Sequence, residues 1–351
     1  MERSHNSSLP TEGAVLLAKT FLKLFLLSIA CLGLASNAQS QQPVKIRIVW
    51  AVAPAQIAPI MLDPPGVARH NGKSYVLEPI RMAGSALALQ ALAAGEAELV
   101  NMAFQVLGPA ILNAGMTDIR IVADELRDGF GDFESTQYFV LKDGPVKSIA
   151  DMKGKVFATN GIGGGQDIYA RVMLRKHGLE YPKDYTIIEA SFPTMKAMLL
   201  EKKADMVVGV KPFTEDPSFK AAAQTLFAQK DAVGPTDSLF LVGRADFIQK
   251  NRAALVDFFE DYIRATRWFL DPANKPAVVE IVSKFTKVPP QHLQWIFTKQ
   301  DYYRDANAMP DIPAIQRQMD MLKEFNVLKA NVEVKKFTDL SIVEEAAARI
   351  K

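Results

Sequence analysis

One cysteine, Cys31, occurs in the 351 residues. A disulfide within the chain is therefore excluded, and so is a metal site built from several thiolates. Histidine is nearly as scarce, with His5, His70, His177 and His292 widely separated. No H-x-x-H, H-E-x-x-H or G-x-S-x-G pattern occurs, so the common metallohydrolase and serine-hydrolase arrangements are missing. A charge excess is missing too: 41 Lys and Arg stand against 39 Asp and Glu, a net +2. Such a balance gives no bulk electrostatic reason to seek nucleic acid or an anionic bilayer. What remains is ordinary globular composition, 49% hydrophobic and 23% charged, with enough length for two lobes.

The first forty residues differ from the rest. The apolar run "FLKLFLLSIACLGLA" (Phe21–Ala35) follows Lys19 and contains Lys23, and "SNA" then places Ser36 and Ala38 at the small positions of a cleavage site. This pattern predicts a secretory signal peptide over 1–38 and a periplasmic protein. The interrupted run is short for a membrane span. Cys31 raises the alternative of lipidation, although the apolar run continues past it. Cleavage after Ala38 removes that cysteine. It also removes Arg3, Lys19 and Lys23 against Glu2 and Glu12, which lowers the net charge from +2 to +1.

Beyond residue 38, strand-like and helix-like runs alternate with short connections. "KIRIVWAV" (Lys45–Val52), "SYVLEPIRM" (Ser74–Met82) and "IRIVADEL" read as strands; Ser85–Ala94 reads as a helix. The alternation predicts an α/β fold with mostly parallel sheets. "ALAAGEAELV" (Ala91–Val100) aligns without a gap on "MLLEKKADMV" (Met198–Val207), with Glu98 matched to Asp205. Two such helix–turn–strand units suggest two similarly built lobes, although shared turn chemistry alone also gives this pattern. "TQYFVLKDG" (Thr136–Gly144) and "DSLFLVGRADF" (Asp237–Phe247) are candidate crossovers. The expected organisation is 39–143 for the first part of lobe 1, 144–236 for lobe 2, and 237–351 for the return to lobe 1 with C-terminal helices. Leu255, Phe258, Phe259, Tyr262 and Ile263 recur at helical spacing and read as packing.

The stretch "ATNGIGGGQDIYARVML" holds four glycines in five positions, Gly161 and Gly163–Gly165, at a strand-to-helix turn. A nucleotide phosphate loop needs G-x-x-x-x-G-K-[ST], and Gln166 and Asp167 stand where its Lys and Ser or Thr belong. Two readings stay open: a helix end that receives an anion on its free N–H groups, or a tight turn that touches no ligand. Asp167 would repel an anion there unless it satisfies the helix's own N–H groups.

Taken in order, "VWAVAPAQIAPI", "GSALALQALAAGEAELV", "VKSIADMKGKVFAT", "ADMVVGVKPF" and "RADFIQKNRAALVDFFEDYIRATRWF" resemble the substrate-binding proteins of ABC importers in the nitrate, sulfonate and taurine group, related to the thiamine-precursor binders. The resemblance spans nearly all of the chain beyond residue 38. It implies a type II periplasmic binding protein fold of two α/β lobes joined by two strands, with a small organic anion bound between them and delivered to an inner-membrane permease. It implies a monomer without cofactor, metal or catalytic set. An enzyme on the same fold, similar to the thiamine-pyrimidine synthases, is the alternative; those need a reactive histidine and a cysteine-rich segment.

In such lobes ligands sit beyond the carboxyl ends of the strands. On one wall that places Pro54 and Gln56, Gly84 and Ser85, and Phe104 and Gln105; on the other, Asn160, Gly164, Gly165, Gln166, Thr194 and Lys211. Ser85 suits an N-cap as well as a ligand contact. Lys211 departs from the family, which commonly has Trp-Glu before this Pro; it offers a cation to an anion or to an acid on the facing lobe, or is simply an exposed lysine. Phe130 and Phe133, in a loop with two glycines, either cover the cleft mouth or pack on neighbouring elements. His70 and His177 read as solvated helix ends.

Overall fold

The computed structural model describes residue 1, residues 42–82 and residues 84–350. Apart from residue 1, the expected signal peptide lies outside the described residues. Its Cys31 does too.

The described strands fall into two five-stranded sheets. In spatial order the first contains β2 (Tyr75–Arg81), β1 (Val44–Trp50), β3 (Leu99–Ala103), β10 (Thr236–Arg244) and β4 (Ile119–Asp128). The second contains β7 (Thr186–Glu189), β6 (Val156–Thr159), β8 (Met206–Val210), β5 (Thr136–Leu141) and β9 (Ala223–Ala228). The helices are α1 (Ser85–Ala93), α2 (Phe104–Leu112), α3 (Gly165–Lys176), α4 (Met195–Leu200), α5 (Pro217–Ala222), α6 (Gln229–Val233), α7 (Ala245–Lys250), α8 (Arg252–Leu270), α9 (Lys275–Thr286), α10 (Ile312–Glu324) and α11 (Ser341–Arg349). In each sheet four strands run in one direction, and the fourth in spatial order, β10 or β5, is antiparallel to both of its neighbours. Expected and observed fold class therefore agree.

The repeat in the sequence is a repeat in the structure. Glu98 donates its N–H to the Arg47 carbonyl at 3.0 Å, while its carboxylate accepts the Arg47 N–H at 2.7 Å. Asp205 makes the same pair of bonds to Val156, at 2.8 and 3.0 Å. In each lobe an acid at the entrance of the third strand thus fixes the register of the first, and β1–β3 and β6–β8 pair in parallel from there. The turns before the two acids also match: Gly95 has φ +70°, and the aligned Lys202 has φ +57°.

Packing follows the side-chain pattern. In β1, Ile46 and Ile48 are buried while Lys45 is exposed. On one face of the first sheet, Ile46 and Ile48 pack with Leu255, Phe258, Phe259, Tyr262 and Ile263 of α8, the aromatic stripe read as packing. α9 joins them through Val278, Val279 and Val282. The other face begins a cluster that runs from Val100 and Met102 through Phe104 and Tyr169 to Phe157 and Val207 of the second sheet. One apolar core therefore crosses between the sheets.

The first sheet ends at Asp128, and the second is entered at Thr136. Asp128 is buried, and its carboxylate accepts the N–H groups of Gly129, Ser135 and Thr136 at 2.9, 2.8 and 3.0 Å, folding this crossing into a compact turn. β5 hydrogen-bonds to β8 and β9. "TQYFVL" is thus a strand of the second sheet, not a connection, and the chain changes sheet before the expected 143/144. Its apolar run Tyr138–Leu141 reads the same in either role. The return comes at Thr236, where β10 begins.

The matched turns give a paired test. An added Cβ at Gly95 would meet no atom within 4 Å, so only backbone strain opposes a side chain there. Gly95→Ala should cost about 1–2 kcal/mol in urea unfolding. Lys202→Gly should leave stability unchanged or raise it by up to ~1 kcal/mol, since relieved strain outweighs the added freedom of the unfolded chain. A destabilising Lys202→Gly would contradict the equivalence.

Candidate functional site

The parallel strands of both sheets direct their carboxyl ends to one seam. β3 runs directly into α2, whose first residues are Phe104 and Gln105; β6 leads through the glycine turn into α3. A Cβ on Gly165 would lie 2.7 Å from Cε1 of Phe104 and 3.3 Å from Oε1 of Gln105, and one on Gly164 would lie 3.9 Å from Nε2 of Gln105. Phe104, Gln105, Gly164 and Gly165 are thus brought together across the two lobes. The glycine turn exists in part because the facing lobe lays an aromatic ring on it. Phe104 is only 2% exposed and stacks on Tyr169 of α3, with centroids 5.7 Å apart and rings 19° from parallel. Gly163 has a separate reason to be glycine, a φ of +78°.

The start of α3 is anchored from below. The Tyr138 hydroxyl donates to the Gln166 carbonyl at 2.6 Å. Asp167 is fully buried; it accepts the Gly163 N–H at 2.8 Å and pairs with Arg171 at 2.7 Å. The feared repulsion is therefore offset by a guanidinium one turn on. The first bond of the helix runs from the Ile168 N–H to the Gly164 carbonyl at 3.0 Å, leaving the N–H groups of Gly165, Gln166 and Asp167 for a side chain, water or ligand.

Other expected residues form the walls. Ser85 opens α1, but its hydroxyl accepts the Ala103 N–H at 2.9 Å instead of capping its own helix, and Gly84 is the residue before that helix. The bond ties α1 to the end of β3. Gln56 is buried, and its Oε1 accepts the N–H groups of Ala51 and Val52 at 2.8 Å each. The Pro54 carbonyl accepts from the Arg304 guanidinium. These side chains shape the turn after β1. Asn160 and Thr194 are exposed, and among the described residues no hydrogen bond joins them to the other candidates. The Thr194 hydroxyl donates to the Ser191 carbonyl at 2.8 Å.

Lys211 corrects an expectation. It is 6% exposed, ion-paired with Glu215, and donates to Oε1 of Gln300 at 3.1 Å. Its carbonyl accepts the Tyr302 hydroxyl at 2.6 Å. Burial pulls its pKa down to about 8, with Lys220 adding to the effect. It is neither exposed nor a free cation: it bridges the end of β8 to the segment before α10. Phe130 and Phe133 pack on Tyr303, stacked at 5.3 Å and edge-on at 5.5 Å. Their aromatic surface belongs to the crossing.

His177 is exposed at the end of α3, as expected. His70 instead lies between two acids of α8, with Nδ1 3.8 Å from Asp257 and Nε2 3.4 Å from Glu260. Asp257 also holds Arg349 at 3.2 Å, and Glu260 holds Arg264. Both ring nitrogens are thus directed to carboxylates that already carry guanidinium partners.

Sequence reasoning missed the buried acids of β4. Glu125 is buried with neither carboxylate oxygen hydrogen-bonded, and burial, then the charge of Asp124, pushes its pKa up to about 8. The signal was present: "IRIVADELRD" puts five charged side chains into a strand whose every position but Arg120 is buried.

Residues 132–275 match the family model described as NMT1/THI5 like. No curated protein matches the sequence. Among solved structures, the periplasmic aliphatic sulphonate binding protein SsuA from Escherichia coli is similar at 15% identity and a TM-score of 0.68, over 85% of this chain and 92% of that one. The periplasmic nitrate-binding protein NrtA from Synechocystis PCC 6803 matches at 16% identity and 0.67, over 88% and 89%. The desulfurization enzyme DSZB matches at 12% and 0.66, over 88% of this chain and 100% of that one. These matches bear out the resemblance and establish the periplasmic binding protein fold. Binding proteins and an enzyme share it, so function is argued from the site.

Two measurements check the seam. The Phe104 ring is enclosed, so Gly165→Ala should cost about 1–3 kcal/mol through overpacking. In a double-mutant cycle with Phe104→Leu, the two changes should couple by at least ~0.5 kcal/mol; additivity would mean that the ring does not rest on Gly165. Lys211→Met should lower stability by roughly 1–3 kcal/mol, because Glu215 stays buried with Lys220 as its remaining cation. An unchanged unfolding midpoint would show Lys211 to be free in solution.

Proposed function

We propose that this protein is the extracytoplasmic solute-binding component of an ABC importer, capturing a small organic anion between its lobes and delivering it to an inner-membrane permease. The observation that carries the reading is the start of α3: a twelve-residue helix whose N–H groups at 165–167 precede its first internal bond, facing Phe104 and Gln105 of the other lobe. An anion there gains from unpaired donors and the helix dipole. Gln105 adds a neutral amide, and the Phe104–Tyr169 pair an apolar surface, the combination expected of an organic-ligand site. Lys211 belongs to the frame of the site and acts through Glu215 and Gln300. The alternative enzyme reading would require turnover.

A thermal-shift screen of sulfonates, nitrate and carboxylates tests the proposal. A true ligand at roughly a hundred times its dissociation constant should stabilise the fold by about 2.7 kcal/mol. Calorimetry should give one site per chain, with the ligand recovered unchanged. Gln105→Leu should weaken binding by roughly two-fold to ten-fold, the loss of a single neutral hydrogen bond, without lowering stability. A chemically altered ligand, or uptake of cationic compounds only, would overturn the proposal.

A further inference from the structure

Asp124 of β4 and Asp237 of β10 are 2% and 0% exposed, on neighbouring strands beside the crossings between the sheets. Their Oδ2 atoms are occupied. That of Asp124 accepts the Asp305 N–H at 3.3 Å, and that of Asp237 accepts the Asp311 N–H at 2.8 Å. Their Oδ1 atoms have no hydrogen-bond donor, although the two carboxyl groups lie within hydrogen-bonding reach of each other. Two carboxylates cannot hydrogen-bond together unless one carries a proton.

The surrounding charges do not remove that need. Arg127 is the cation in reach of both acids, its Nε 3.3 Å from Asp124 and 3.8 Å from Asp237. One guanidinium leaves two carboxylates a charge in excess. From the segment before α10, Asp305 adds a further negative charge. Arg304 from that segment is directed to Asp301 and the Pro54 carbonyl, and bears on Glu125. Glu125 and Asp128 on β4 are buried acids themselves. Tyr262 of α8 is a neutral phenol at the same place, and Gln318 of α10 accepts the Asp237 N–H at 3.1 Å without bringing charge.

We infer that Asp124 and Asp237 share one proton, held between their carboxyl groups, which pins β4 to β10 where the chain passes between the lobes. The pair then carries one negative charge, matched by Arg127. Its loss at higher pH would set two like charges on adjacent strands and loosen the base of both crossings. Burial favours the protonated form, raising Asp124 to about 7 and Asp237 well above the ordinary carboxylate range, where the charge of Asp124 reinforces the effect.

The sign of the pH dependence follows. An unfolded aspartate loses its proton near pH ~3.9, whereas the folded pair keeps one to neutrality or beyond. The resulting stabilisation is complete below pH ~3.9, falls as pH rises, and levels once the folded pair has titrated.

Asp237→Asn supplies a neutral donor in place of the shared proton. Relative to this variant, the wild-type unfolding constant should rise about ten-fold per pH unit between pH ~5 and ~7. Parallel curves would overturn the inference. A measurement on the unaltered protein stands beside it, should the variant fail to fold: carbon NMR of side-chain-labelled aspartate. At least one aspartate carboxyl should titrate near or above pH ~7, and that resonance should be absent from Asp124→Asn or Asp237→Asn. If every aspartate titrates below pH ~5, the shared proton does not exist.

Discussion

A single steric contact organises the molecule: the Phe104 ring of one lobe resting where any side chain on Gly165 of the other would stand. The contact requires glycine at the start of α3, and it encloses the ring against Tyr169. It also makes the apolar core continuous from one sheet to the other. Dispersion and burial act over short range, so such a contact holds only while the lobes are closed. An event that changes the fit at this seam, such as a ligand on the helix N–H groups, acts on the relation between the lobes. On the proposed function, that coupling is how occupancy would be reported through the relation between the lobes.

The contact can be made because the two lobes are built by the same rule. Glu98 and Asp205 each return a carboxylate to the N–H of a residue in the neighbouring parallel strand, which fixes register at equivalent places in the two sheets. β3 and β8 therefore end at corresponding depths. The crossings close the frame. Asp128 gathers three N–H groups at one of them, while Lys211 reaches Gln300 and Tyr302 from the end of β8. The buried charges at this base are costly in isolation and are stabilised through partners, here one guanidinium and a proton.

Much of this was legible in the sequence wherever the cause is local. The alternation of β1, the stripe on α8 and the helix–acid–strand repeat all follow from short-range periodicity, and they appear as read. The pairing of Asp167 with Arg171 was visible at a spacing of four, as was that of Lys211 with Glu215, and neither was read. Long-range partners were not legible. Nothing near Gly165 announces that Phe104, some sixty residues earlier in the chain, will cover it. Nor does the strand "IRIVADEL" show that its acids will meet Asp237. The glycine turn was read as a helix end that receives an anion or as a tight turn, and neither reading contained the facing side chain that explains Gly165 at least in part. Asn160 and Thr194 lie near strand ends in sequence, yet the loops carry them to the surface.

The central claim is that ligand binds where Phe104 and Gln105 meet the start of α3. Amide hydrogen exchange, with and without saturating amounts of a ligand from the screen, tests it most directly. The prediction is joint protection of two segments far apart in sequence, the start of α2 and residues 163–168, rising together with occupancy. Protection confined to one lobe, or found away from both segments, would contradict it.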